Sequence, residues 1–162
     1  LARERTDYWM ATAGLDGLIV PDLPVEESAK LQEKATLRDL KLIQLITPTT
    51  PRARAVEIAR LTTGFIYYVS VAGITGERKA LPEDLKANVA WLRTQTDLPI
   101  CIGFGISSPD QVQELAEVAD GLIVGSALVR RLADAANRPK GDVVKEVGDF
   151  IGELSGALAP KG

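Results

Sequence analysis

Short runs of apolar, mostly β-branched residues alternate along this chain with longer amphipathic segments. The short runs are apolar throughout instead of alternating with polar residues, which is typical of strands covered on both faces. Five such strands are predicted: Gly17–Pro21, Leu42–Ile46, Phe65–Ser70, Ile100–Gly103 and Gly121–Val124. Helical patterns with short connections fill the segments between them. This order predicts parallel strands joined by helices, an α/β fold.

Start signals and apolar spacing locate several helices. The pairs Thr50–Pro51 and Ser108–Pro109 each have the pattern of an N-cap residue followed by the first helical residue. Arg3–Ala13 is also predicted to be helical, with Gly14 as its C-cap. Near the C-terminus, the predicted apolar stripe of the last helix consists of Val147, Ile151, Leu154 and Leu158.

The pentapeptide Asp-Gly-Leu-Ile-Val occurs twice, at Asp16–Val20 and at Asp120–Val124. If the copies, which begin about 104 residues apart, are strands separated by four βα units, each unit takes about 26 residues, which suits a (βα)8 (TIM) barrel. The alternative is that any parallel strand entered through a tight turn has this pattern. Eight such units need about 210 residues. We therefore expect residues 1–162 to form one TIM-barrel domain, truncated at its N-terminus and holding only about strands 4–8.

The composition excludes several kinds of chemistry, because the chain has no histidine and one cysteine. Ser-His-Asp and Cys-His nucleophile pairs and histidine-containing zinc sites are ruled out, and we expect no metal. Acid/base chemistry must then use Asp, Glu, Tyr or Lys. The net charge of -3, with no basic run, gives no footprint for nucleic acid or an anionic membrane. The single cysteine favours a reducing compartment, and we expect a cytoplasmic protein.

Two glycine-containing turns follow consecutive predicted strands. The first is Gly103–Pro109, with Gly105 able to adopt positive φ and let an anion approach the backbone. The second is Gly125-Ser126-Ala127, again between a strand and a helix. Turns of this kind after consecutive strands match the phosphate site that follows strands seven and eight of many barrels. The alternative is that both are merely tight turns.

Two further loops follow predicted strands. Residues 70–82 are too long for a simple βα turn and carry two glycines, which predicts a lid. Within the preceding strand, one of Tyr67 and Tyr68 must face the barrel interior, although a purely structural aromatic is the default for each. Asp22 lies between two prolines at the end of another strand, where satisfying a turn is its more ordinary role.

Five segments taken together resemble the tryptophan synthase alpha chain family, in order and at the expected spacing. They are DGLIVPDLPVEES, LITPTTPRAR, FIYYVSVAGITGERKALP, PICIGFGISSPDQV and DGLIVGSALV. The resemblance implies a (βα)8 barrel that cleaves indole-3-glycerol phosphate to indole and glyceraldehyde 3-phosphate in tryptophan biosynthesis. It also implies a β-subunit partner that consumes the indole, and no cofactor.

The resemblance also assigns roles to individual residues. Tyr67 matches an active-site tyrosine, and Asp22 and Pro24 match a loop in contact with the β subunit. The positions implied to bind substrate are Ile46, Thr75, Gly76, Phe104, Gly105, Gly125 and Ser126. The two catalytic carboxylates of the family, a glutamate and an aspartate, belong to a strand and loop that have no counterpart in this sequence. The chain alone is therefore expected to be inactive.

Three functional hypotheses remain open at this point. The first is the lyase. The second is another phosphate-binding barrel enzyme, related to indoleglycerol-phosphate synthase or to a phosphosugar isomerase. The third is a non-catalytic fragment that binds phosphate or the β subunit.

Overall fold

The computed structural model of the chain describes residues 13–70, 84–103, 105–133 and 138–158. Its centre is a parallel five-stranded sheet with the strands in sequential order. The strands are β1 (Gly17–Ile19), β2 (Lys41–Ile46), β3 (Ile66–Val69), β4 (Ile100–Gly103) and β5 (Gly121–Ile123). The helices are α1 (Val25–Thr36), α2 (Arg52–Leu61), α3 (Leu85–Arg93), α4 (Pro109–Ala116), α5 (Ser126–Ala133) and α6 (Lys140–Gly156). The predicted α/β fold is confirmed, and every predicted strand is present.

The two faces of the sheet differ because successive side chains of a strand point to opposite sides. On the helix face, Ile66 and Tyr68 of β3 pair in register with Ile100 and Ile102 of β4, and all four are buried. Helices α3 and α4 contribute the matching layer of buried side chains: Leu85, Val89, Leu92, Val112 and Leu115. The opposite face, called the inner face below, is only partly buried within the described residues. The core therefore lies between the sheet and its helices.

The repeated pentapeptide forms the two outermost strands of the described sheet. The copies contribute β1 and β5, which are four βα units apart, as the sequence predicted. Their aspartates act differently. The carboxylate of Asp120 accepts from the backbone N–H of Ile100 at 2.8 Å, whereas Asp16 accepts from Lys41 N through its backbone carbonyl at 2.9 Å. In both copies the aspartate links its strand to a neighbour.

Two predicted helix features are wrong in detail. Pro51, not Thr50, is the N-cap residue of α2, and Thr50 Oγ1 instead accepts from the backbone N–H of Thr47 at 3.0 Å.

In α6 the buried residues are Val143, Phe150 and Leu154. Of the predicted stripe, Ile151 and Leu158 are 48% and 51% exposed. The large Phe150 ring takes the place against the core that the spacing had assigned to Ile151.

The predicted N-terminal helix and its C-cap lie only partly within the described residues. Almost all of Arg3–Ala13 lies outside the described residues. Gly14, its predicted C-cap, has φ of 77°, a conformation that glycine adopts without strain. None of the described helices is long and apolar enough to cross a membrane.

The outer edges of β1 and β5 have no partner strand among the described residues, and Ile19 on β1 is 46% exposed. Open parallel edges with apolar side chains promote association between chains. We predict that Ile19→Lys lowers the self-association of the chain, as measured by light scattering over a concentration series. The matched control is Leu37→Lys, at a side chain 77% exposed beyond the end of α1, away from either edge. An equal effect of the two substitutions would show that general charge, and not the edge, controls association.

Candidate functional site

The carboxyl ends of β3, β4 and β5 meet at one edge of the sheet because the strands are parallel and in register. Ser70, which follows β3, is fully buried there. Its backbone N–H donates to Gly103 O at 3.0 Å, and its hydroxyl donates to the same carbonyl at 3.2 Å. These two bonds fix the end of β3 against the end of β4. The sequence analysis did not single out Ser70.

Tyr67 lies on the inner face of β3 and crosses over Gly103 of β4. A Cβ atom placed on Gly103 would be 2.6 Å from Tyr67 Cε2, 2.7 Å from Tyr67 Oη and 2.9 Å from Ile123 Cβ. Only glycine leaves room for the phenol at this position. The expectation that one tyrosine faces the interior is met by Tyr67, since Tyr68 is buried on the helix face.

Burial raises the pKa of both phenols. The pKa of Tyr67 moves further above its usual value, at which the hydroxyl is already protonated at neutral pH, so the group can donate a hydrogen bond. Burial also raises the pKa of Tyr68, an effect that the neighbouring Asn88 side chain partly offsets. Asn88 is therefore the polar neighbour of the Tyr68 hydroxyl, although the two groups form no hydrogen bond of good geometry. Because Tyr68 faces the helices, Tyr67 is the one of the two that can act in a site on the inner face.

In the described part of the turn after β4, one side chain bonds to the backbone just before α4. Gly105 has φ of 79°, the left-handed conformation expected there. Ser108 is the N-cap of α4 and forms a capping box with Gln111, with Pro109 in the first turn. Gln111 Oε1 accepts from the backbone N–H of Ser107 at 2.8 Å and of Ser108 at 3.3 Å. The backbone N–H groups of Ser107 and Ser108 are thus already hydrogen-bonded. In this turn, the N–H groups that precede Ser107 are the ones left for an anion. The Ser-x-x-Gln spacing is a known signal for this box.

The turn after β5 is open. Gly125 O accepts from the backbone N–H of Leu128 at 2.9 Å and of Val129 at 3.0 Å, which begins α5. A Cβ at Gly125 would meet no atom of the described residues within 4 Å. The first N–H groups of a helix have no acceptor inside the helix, and the helix dipole makes this end attractive to anions. The two glycine turns follow paired strands, since Gly103 lies in register with Ile123. The arrangement suits a bound phosphate.

The remaining predicted site residues are not all gathered at this edge. Ile46 is 3% exposed, in register with Tyr68 and part of the helix-face core. Its role in the substrate pocket stays a prediction. Asp22 and Pro24 are exposed in the loop after β1. Three predicted substrate-binding residues lie outside the described residues: Thr75, Gly76 and Phe104.

Cys101 lies on the inner face beside Gly121, where a Cβ would approach its Sγ to 2.9 Å. Burial, followed by the charge of Asp120, raises the pKa of the Cys101 thiol. The group is therefore protonated near neutral pH, which favours an unreactive thiol.

Three features define the class of this protein. The parallel sheet is open with five strands in sequential order, the helices pack on one face, and glycine turns follow adjacent strands. The chain is a portion of a (βα)8 barrel. The family model described as "Tryptophan synthase alpha chain" matches residues 3–157. The chain belongs to the tryptophan synthase alpha chain family.

Individual relatives give the extent of the match. A tryptophan synthase alpha chain of Rhodopirellula baltica is 57% identical over 153 residues, covering 90% of this chain and 55% of its own length. That of Chloroflexus aurantiacus is 46% identical over 156 residues, covering 96% of this chain and 58% of its own length. The chain thus spans little more than half the length of these curated relatives.

Solved structures of tryptophan synthases are similar to this chain in fold. A tryptophan synthase structure from Mycobacterium tuberculosis superposes with a TM-score of 0.80 at 29% identity, covering 94% of this chain and 56% of that chain. A structure of the tryptophan synthase α2β2 complex from Pyrococcus furiosus gives a TM-score of 0.80 at 32% identity, covering 91% and 58%. The expectation of an incomplete barrel is confirmed.

The contact between Tyr67 and Gly103 predicts a specific stability effect. Gly→Ala at a tolerant position stabilises by about 0.4–1 kcal/mol, whereas overpacking costs about 1–3 kcal/mol. Because the added methyl group would overlap the phenol, we expect Gly103→Ala to destabilise the chain by about 1–2 kcal/mol in urea unfolding. Gly125→Ala is the matched control, since nothing lies near its Cβ, and it should be neutral or stabilising.

A double-mutant cycle tests the cause. In a Tyr67→Ala background the cost of Gly103→Ala should fall, although contact with Ile123 leaves part of it. Additive effects of the two substitutions would rule out the proposed overlap.

Proposed function

We propose that this chain provides the phosphate-binding part of an enzyme that cleaves indole-3-glycerol phosphate to indole and glyceraldehyde 3-phosphate in tryptophan biosynthesis. The observation that carries the proposal is the pair of glycine turns at the adjacent ends of β4 and β5, each leading into a helix. Membership of the tryptophan synthase alpha chain family supports the choice of substrate over that of other phosphate-binding barrels.

The phosphate would be held chiefly by backbone groups of the second turn. Gly105, Gly125 and Ser126 are the proposed contacts, and the open space around Gly125 leaves room for an anion. Because Gln111 already occupies the amides of Ser107 and Ser108, the start of α5 is the stronger donor of the two helices. Anchoring the phosphate there would hold the rest of the substrate over the inner face of the sheet.

Tyr67 would assist by position and not by removing a proton. Its phenol lies across Gly103 on the inner face and is protonated at neutral pH, with a pKa that burial raises further. A protonated phenol donates a hydrogen bond and presents an apolar ring to the indole. We propose that Ile46, Phe104, Thr75 and Gly76 complete the substrate site, in the roles that the resemblance implies.

The chemical step needs more than these residues supply. Cleavage requires a proton on indole C3 and loss of the proton from the glycerol hydroxyl as the C–C bond breaks. The family resemblance assigns these transfers to two carboxylates without counterparts in this sequence. Asp22 and the glutamates at the start of α1 lie on the loop after β1 and its helix, while Tyr67 is held protonated. We therefore propose binding without efficient turnover by this chain alone.

The partner is proposed to be a tryptophan synthase β subunit. The exposed loop after β1, with Asp22 and Pro24, is the proposed contact. The Pyrococcus furiosus relative is described as an α2β2 complex. The proposed compartment is the cytoplasm, because a chain whose single cysteine can form no internal disulfide is typical of a reducing environment.

Gly125→Asp tests the phosphate site directly. The substituted side chain meets no atom of the described part of the chain near its Cβ, so the main change is a negative charge where the anion would lie. We expect calorimetry to show loss of binding of glyceraldehyde 3-phosphate or inorganic phosphate. Gly125→Asn has the same shape without the charge and should retain more affinity. Unchanged phosphate binding by Gly125→Asp would contradict the assignment.

Turnover is tested with the purified 162-residue chain and indole-3-glycerol phosphate, by following indole release. A positioned acid or base contributes about 10²–10⁴-fold each, so we expect a rate lower than that of a full-length alpha chain by at least about 10⁴-fold. Addition of a polypeptide carrying the first three βα units of a relative should restore part of the activity if the pieces dock. Indole release at a rate comparable to that of a full-length relative would show that the catalytic groups are in this chain. Asp22→Asn would then be the first variant to measure.

A further inference from the structure

Two polar side chains are buried between β2 and α1, away from the proposed substrate site. Gln44 of β2 is 6% exposed and Ser28 of α1 is fully buried. Ser28 Oγ lies 2.7 Å from Gln44 Oε1 and 3.1 Å from the carbonyl oxygen of Pro24. Gln44 Nε2 is buried without a hydrogen-bond partner in the described part of the chain.

The number of protons limits how these atoms can bond. The Ser28 hydroxyl has one proton but faces two acceptors, while the two protons of Gln44 Nε2 are unused. Turning the Gln44 amide about its Cγ–Cδ bond brings Nε2 to the position of Oε1. Nε2 then donates to Ser28 Oγ, and the hydroxyl donates to Pro24 O. The unpaired atom becomes an acceptor, which is less costly to bury than an unpaired N–H group.

We propose that Gln44 and Ser28 are positioning residues that hold the β1–α1 loop (Val20–Pro24) through this directed chain of hydrogen bonds. Pro24 has no backbone N–H, so its carbonyl, which also accepts from the Glu27 backbone N–H at 3.0 Å, is the group by which the end of the loop can be held. The loop itself is closed by the Leu23 N–H, which donates to Val20 O at 3.2 Å. The consequence for the β subunit rests on the proposed function, because Asp22 and Pro24 are the proposed contacts.

A second interaction, an ion pair at the surface, involves the same N-terminal end of α1. Arg54 donates to the two carboxylate oxygens of Glu26 at 2.9 and 3.1 Å, and it lowers the pKa of Glu26. Both side chains are substantially exposed, and exposed ion pairs contribute little. The buried pair of Gln44 and Ser28 is therefore the stronger constraint on where the loop ends.

Amide hydrogen exchange of the 162-residue chain tests the proposal without any partner. In Gln44→Leu and in Ser28→Ala, the amides of Leu23 and Glu27 should exchange roughly fivefold faster than in the unsubstituted chain, as expected for loss of one buried hydrogen bond. The matched control is Thr62→Val. Thr62 is also buried, and its hydroxyl donates to Ile58 O at 2.7 Å within α2, far from the loop in sequence. The control should leave both amides unchanged.

A second measurement uses the unsubstituted chain, so it does not depend on any variant folding. The side-chain amide protons of Gln44 should be protected from exchange and show a nuclear Overhauser effect to the Ser28 Hβ protons. Free exchange of these protons, or unchanged Leu23 and Glu27 exchange in both variants, would overturn the proposal.

Measuring the affinity of the chain for a relative's β subunit distinguishes a failure of this proposal from a failure of the proposed function. We expect Gln44→Leu to weaken that binding about fivefold and Thr62→Val to leave it unchanged. Faster loop exchange in a chain that binds no β subunit would support the positioning role and reject the partner. Equal binding and equal exchange by Gln44→Leu and the unsubstituted chain would reject the positioning role and keep the partner.

Discussion

Burial of one face of the parallel sheet against the helices is the constraint on which the candidate site depends. Ile66, Ile100 and Ile102 are fully buried in this layer. Since strand side chains alternate, fixing Ile66 and Tyr68 toward the helices forces Tyr67 onto the inner face. A slip by one residue would bury Tyr67 and expose Tyr68, at the cost of the whole layer. The position of the Tyr67 phenol over Gly103 is thus set by apolar residues that face the other side of the sheet.

Features with a strong local cause could be predicted from the sequence. The strands were located because each is a short apolar run bounded by turn residues, and the start of α4 because Ser108 and Pro109 form an N-cap and first-residue pair. The stripe of α6 was placed wrongly because Phe150 and Ile151 are adjacent and both apolar. Spacing alone cannot choose between them, and the choice depends on the partners already on the sheet. Arg131 lies against the Phe150 ring, 3.4 Å from its centroid, which only the tertiary fold brings about.

The candidate site was predictable where it depends on glycine and not where it depends on buried polar groups. Gly105 marks a turn with a positive φ, and Gly125 marks a turn with open space beside the backbone among the described residues. Ser70 and Gln44 gave no comparable signal, because a single polar residue in an apolar strand does not reveal its partner. Ser70 bonds to Gly103 on the neighbouring strand β4, and Gln44 bonds to Ser28 on helix α1. Both partners are known only once the strands are paired.

The distribution of the site along the chain explains why binding and chemistry can be separated in this fold. The two glycine turns belong to consecutive βα units, so the proposed anion site is contained in about 25 residues of continuous sequence. Its donors are backbone groups fixed by the local strand–turn–helix geometry. Catalytic side chains in (βα)8 barrels come instead from the ends of several different strands. A portion of the barrel can therefore contain a complete anion site and few of the catalytic side chains. Under the proposed function, this chain carries phosphate binding but not the proton transfers.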